Sequence, residues 1–309
     1  MKRTSLLLTC ICIFGLAQAQ AQLIWQNDFE SVTPGSFSGG TAVTDGTSTP
    51  STDGAVFGAS ALLGNASGNR TLTVSATGGV GNSAMVTQGN DPVVRSRATH
   101  DMTTTTTFDF YFLYNGSTTT NNGFVGAGWA RADNRSGNNG SGIDGNNPFN
   151  TGQANRFEVG LMKTGVQDET KLAVGGQFNG FSELSSDTAT LTAGNWYQMT
   201  FDLTFNQDIG TPADSNFDVA NVALLDWGTD GQTGGSTLLS LSSATGIDLF
   251  AGNNFDTDNF GYTYLSGNAG RGVSTFDNIS ATAVPEPSSA VLVLGAFGLL
   301  MTSSRRRRL

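Results

Sequence analysis

Two segments of this chain alternate large apolar residues with polar ones at a period of two, which only a half-buried β-strand satisfies. In Thr107–Tyr114 the side chains of Phe108, Phe110, Phe112 and Tyr114 share one face. In Trp196–Phe205, Tyr197, Met199, Phe201, Leu203 and Phe205 face one way, and Gln198, Thr200, Asp202 and Thr204 the other. Coiled as a helix, either segment would scatter its apolar residues around the axis. Asn155–Lys163 groups Phe157, Val159 and Leu161 in the same way and turns Glu158 outward. Further strands are expected at Leu23–Glu30, Arg70–Ala76, Ala84–Thr87, Val93–Ala98, Gly123–Ala130, Lys171–Phe178, Phe217–Trp227, Thr237–Leu241, Asp258–Leu265 and Val273–Ala281. Gly, Asn and Asp bound these runs, and the chain holds 41 glycines in 309 residues, so turns are frequent. No segment between residues 22 and 284 sustains a helical period over three turns. The pattern predicts an all-β domain over 22–283, a two-sheet antiparallel sandwich.

The stretches between strands are polar. Arg131–Thr151 is nearly free of large apolar residues and reads as a long exposed loop, and Gly35–Gly54 as a second one. Between positions 23 and 284 there are 24 acidic and 9 basic residues, a net charge of about −15. That balance repels phosphates and excludes nucleic acid as a partner. It suits an extracellular setting and divalent cations.

The two ends carry addresses. Lys2 and Arg3, then the apolar run Leu6–Leu16, then Ala17-Gln18-Ala19 and Ala19-Gln20-Ala21, have the order of a signal peptide over 1–21 with two small-x-small cleavage sites. Both cysteines, Cys10 and Cys12, fall inside it, so the processed chain has no disulfide and must be held by its core. At the other end, residues 284–309 hold Pro285, Glu286 and Pro287, an apolar run Ala290–Met301, and Arg305, Arg306, Arg307 and Arg308. The prolines keep their stretch extended. Ser288–Ser304 would span roughly 26 Å as a helix, close to a bilayer core of roughly 30 Å. The arginines would hold its end in the cytoplasm and leave the rest of the protein outside. This tail resembles the PEP-CTERM sorting signal of exporting Gram-negative bacteria. The resemblance implies transient recognition by the membrane protease-transpeptidase exosortase and insertion in the inner membrane before processing. It also implies release to the cell surface or medium and an association with exopolysaccharide and biofilm.

The domain itself resembles the concanavalin A-like jelly roll of carbohydrate-binding sandwiches. The resemblance is carried by Trp25–Glu30, by Gly194–Phe201 and by Thr275-Phe276-Asp277-Asn278-Ile279-Ser280. It implies that the first and last strands pair. Asp28 or Glu30 would then approach Asp277 and Asn278, a set of hard oxygen donors suited to a calcium ion, although solvated strand-end carboxylates read the same way. For glycans, aromatic platforms are needed, and Trp129, Trp227, Tyr262 and Tyr264 are the candidates, Trp129 foremost because it borders the polar loop; core packing is the competing role. Catalysis finds little support. His100 is the only histidine and no Gly-x-Ser-x-Gly elbow accompanies it. Before the tail the glutamates are Glu30, Glu158, Glu169 and Glu183, and none belongs to a paired-carboxylate strand motif. The reading is a non-catalytic, structural or adhesive surface protein. The alternative is a calcium-assisted glycan-binding module, and more remotely a polysaccharide-degrading enzyme.

Intact-mass analysis of the natively exported protein should show neither Met1–Ala19 nor Arg305–Leu309. Recovery of the full-length species outside the cell would refute the processing.

Overall fold

The computed structural model describes residues 21–30, 35–38, 57–59, 71–75, 77–81, 84–87, 93–118, 121–131, 156–176, 180–206, 208, 215–248, 260–267 and 269–284. The expected signal peptide up to residue 20, the expected sorting tail from 285 and most of the two expected polar loops lie outside this set. Among the described residues there is no α-helix, only the 3-10 turn Ala269–Arg271, and no helix long and apolar enough to cross a membrane.

The strands in chain order are β1 Gln22–Asn27, β2 Gly35–Ser38, β3 Phe57–Ala59, β4 Thr71–Ser75, β5 Ala84–Thr87, β6 Val93–Asp101, β7 Thr106–Tyr114 and β8 Asn121–Arg131. They continue with β9 Arg156–Thr164, β10 Glu169–Gly176, β11 Gly180–Thr190, β12 Trp196–Asn206, β13 Asn216–Asp226, β14 Ser236–Ile247, β15 Phe260–Gly267 and β16 Val273–Ala283. They form two antiparallel sheets. The larger runs β14-β13-β12-β7-β16-β5-β4-β2, with β1 also paired to β16; the smaller runs β11-β10-β9-β8-β15-β6-β3. The chain is an all-β, two-sheet jelly-roll-like sandwich, as the alternation predicts.

Strands with strong alternation sit centrally. In β7 buried and half-buried positions alternate strictly from Thr106 to Tyr114. Its partner β12 places Phe201 opposite Phe108 and Tyr197 opposite Phe112, and both ring pairs stack, at 5.0 and 5.6 Å between centroids. From the other sheet, Phe157 stacks on Phe217 at 3.9 Å and Trp129 meets Phe108 edge-on at 5.8 Å. These rings form the layer between the sheets.

The strands that the pattern misses are at edges. β2, β3 and β11 terminate their sheets, and β14, which also lies at an edge, runs well past the expected Thr237–Leu241. An edge strand covers little core, so its sequence has no need to alternate: the eleven residues of β11 hold only two large apolar ones, Phe181 and Leu184, three positions apart. The expected polar loop Gly35–Gly54 likewise begins with strand β2, which pairs with β4.

At one end of the sandwich an inward lysine replaces the apolar sequence of β9. Lys163 continues the register of Phe157, Val159 and Leu161 and is fully buried. Its ammonium donates to the Tyr114 hydroxyl at 2.5 Å and lies 4.5 and 4.6 Å above the rings of Tyr114 and Phe124. The Tyr114 hydroxyl donates onward to Asp168 at 2.5 Å. Burial pulls the lysine down to about 8 against the opposing pull of Asp168, and burial pushes the Tyr114 phenol upward. The relay ties β9 of one sheet to β7 of the other.

Phe201 is fully buried in the ring layer. Phe201→Ala should cost about 3–5 kcal/mol in denaturant unfolding, with one transition throughout. A neutral result would mean that β12 is out of register.

Candidate functional site

The first and last strands meet as expected. β1 and β16 pair antiparallel, with Gln22 opposite Ala283 and Asn27 opposite Ile279. Immediately after β1 the Glu30 N–H donates to the Asp28 carboxylate at 3.1 Å, and this tight turn carries Phe29 through the left-handed region at φ 59°. That conformation is costly for a bulky residue; here it drives the ring of Phe29 fully into the core.

The four expected calcium ligands gather near this junction without forming a cage. Asp28 and Glu30 are exposed, Asn278 is half-buried and Asp277 is fully buried. The two carboxylate oxygens of Asp277 accept the N–H groups of Val80 and Asn278, each at 2.7 Å. Burial, and after it the charges of Glu30 and Asp28, pushes the Asp277 carboxyl up to about 7, while those two N–H bonds oppose the rise. Glu30 also reaches the segment 77–81, where a Cβ on Gly81 would lie 3.0 Å from its Oε1. Asp277 thus serves as a buried anchor for the 77–81 turn. Among the described residues no group of three or more His, Cys, Asp or Glu side chains is placed to hold a metal ion.

The four expected glycan platforms separate. Trp129 is fully buried and presents no face to solvent. Its strand continues to Arg131, and the register that turns Val125 and Ala127 inward, opposite Leu161 and Val159, sets Trp129 opposite Phe157. Tyr262 and Tyr264 take register positions opposite Ala130 and Gly128, alternating with the buried Thr263 and Leu265; their side chains lie outside the described set. Glu158 keeps its outward register between Gly128 and Gly175, but it is fully buried instead of solvated.

Trp227 lies on the other sheet, among residues that the sequence reading left unassigned. It follows β13 on the outer face of the larger sheet and is half-buried. Its indole lies 6.2 Å from Tyr111, inclined at 36°. Gly235, at φ 71°, passes so close that a Cβ there would lie 2.9 Å from the indole. The indole N–H donates to Gln198 Oε1 at 2.9 Å, and the amide of Gln198 donates to both oxygens of Asp109 at 2.8 and 2.9 Å. Burial holds the Asp109 carboxyl above its ordinary value despite that bond. Beyond this wall the floor is small and polar: Ser280, Asp109, Thr200 and Ala223 lie side by side across β16, β7, β12 and β13. In the next row Asp202 accepts the Thr107 hydroxyl at 2.6 Å and the Asn221 amide at 2.7 Å. Together these residues make a strip of the outer face, here termed the trough, with the aromatic pair at one side and hydrogen-bonding groups along the rest.

No family model and no curated protein matches the sequence. Solved structures resemble it in outline. Peanut lectin is 12% identical, covering 82% of this chain and 97% of its own at a TM-score of 0.41. The carbohydrate-binding module CBM66 from Bacillus subtilis is 10% identical, covering 74% and 95% at 0.35. Alginate lyase Aly36B is 12% identical, covering 87% and 99% at 0.40.

The raised Asp277 pKa fixes a sign. In the unfolded chain this carboxyl ionises near 3.8, and in the fold near 7. Between those values the unfolded state binds fewer protons, so the contribution of Asp277 to stability is full below about pH 4 and is lost as pH rises towards 7. Asp277→Asn cannot ionise and should flatten the fall. Melting temperatures from pH 4 to 8 test this; equal slopes in the two proteins would count against it.

Proposed function

We propose that this is an exported, surface-displayed sandwich that adheres to extracellular polysaccharide through the trough of its larger sheet and does not cleave it. The trough beside Trp227 and Tyr111 carries the reading. Pyranose rings pack their C–H faces on aromatic rings while their hydroxyls take carboxylate and amide partners, and both kinds of group are present within one face. Asp109 and Asp202 hold neighbouring side chains, an arrangement suited to orienting a ligand more than to exchanging protons with it.

Display agrees with the ends of the chain. Gln22 and Ala283 are register partners, so the segment ending in the signal peptide and the segment beginning the sorting tail leave the domain at one pole. In this reading both membrane-directed ends face the inner membrane together. Exosortase acts on the tail around Pro285–Pro287, just beyond the exposed Val284, and the trough remains free to face the matrix.

Affinity electrophoresis of the exported protein in gels containing neutral polysaccharides tests the reading. Trp227→Ala should weaken retention about tenfold, equivalent to about 1.4 kcal/mol, with Trp227→Phe intermediate. Unchanged retention in Trp227→Ala would place binding elsewhere, and release of new reducing ends would make the protein an enzyme.

A further inference from the structure

Acidic residues occur in the strands of both sheets, but basic ones in the strands of only one. The nine strands of the larger sheet contain Asp109, Asp202, Asp218, Asp226 and Asp277 and no Lys, Arg or His. Every Lys and Arg that lies in a strand, from Arg95 on β6 to Lys171 on β10, belongs to the smaller sheet, together with His100. The turn from Trp227 to Gly235 that supports the aromatic wall adds Asp230 and no base.

From this division we infer that the trough selects uncharged polysaccharides and rejects uronate polymers. The inference rests on the glycan-binding reading and specifies its ligand. Ionised Asp109 and Asp202 can only accept hydrogen bonds. The amide N–H of Gln198 is already committed to Asp109, and its carbonyl to the Trp227 indole. The trough floor is therefore rich in acceptors and needs a ligand that donates, as the hydroxyls of a neutral sugar do. A uronate would bring a carboxylate into the same place. Among the described residues it would find no cation on that face, and it would meet a carboxylate that burial already disfavours as an anion. Like charges placed together across an interface are strongly disfavoured. The net charge of about −15 over residues 23–284 adds a long-range repulsion that salt screens.

The test measures binding of the exported protein to dextran, laminarin, mannan and galactan, and to polyguluronate and polygalacturonate, at low and high salt. At least one neutral polymer should bind, and both uronates should bind about tenfold more weakly or worse. High salt should narrow the gap. Asp109→Asn, which keeps an acceptor for Gln198, should narrow it at low salt as well. Should that variant fail to fold, the salt series on the unaltered protein decides alone. Uronates binding as tightly as the neutral polymers would overturn the selectivity and leave glycan binding standing. A protein that binds none of the six would overturn the glycan-binding reading itself.

Discussion

The layer of aromatic rings between the sheets is what the rest of the structure depends on. Cys10 and Cys12 both precede the first strand, so no disulfide crosses the sandwich, and side-chain packing has to hold the sheets face to face. Phe157 on Phe217, and Trp129 on Phe108, join strands of opposite sheets, and burial of each such side chain is worth about 1.5–3 kcal/mol. Apart from the Lys163 and Tyr114 pair at one end, the inner faces are committed to this task. Function is left to the outer faces, where packing makes few demands and polar residues are free to serve recognition.

That division explains what the sequence discloses. Central strands are squeezed between a core and a solvent face, so β7 and β12 alternate and are readable almost to the residue. β2, β3 and β11 lie at sheet edges, escape that constraint and leave no periodic trace. The same logic governs the site. The alternation sets Gln198, Thr200 and Asp202 on an outer face, but it cannot say that Asp109 and Tyr111, far away in sequence, lie beside them; register alone does that. A tyrosine on the polar side of β7 was the available signal. Trp129 shows the opposite failure: nearness to a polar loop suggested exposure, while strand parity carried it inward.

Polar groups are also used inside the fold, each with a fixed partner. Lys163 closes one end of the sandwich through Tyr114 and Asp168, and Asp277 anchors the 77–81 turn through its bond to Val80. Such buried groups are tolerated because their hydrogen-bonding capacity is met. They differ from Asp109, Thr200 and Asp202 on the outer face of the larger sheet, which are only half-buried.

The position of β16 has a consequence for biogenesis. The last strand is interior to its sheet, between β7 on one side and β1 and β5 on the other. During synthesis from the N-terminus, β1 has no partner in the sheet until residues 273–283 exist, and the β2-β4-β5 group has nothing to join. Such long-range pairing is intrinsically slow. The larger sheet therefore cannot join its two halves until nearly all of the domain exists, and strand order alone supplies the delay.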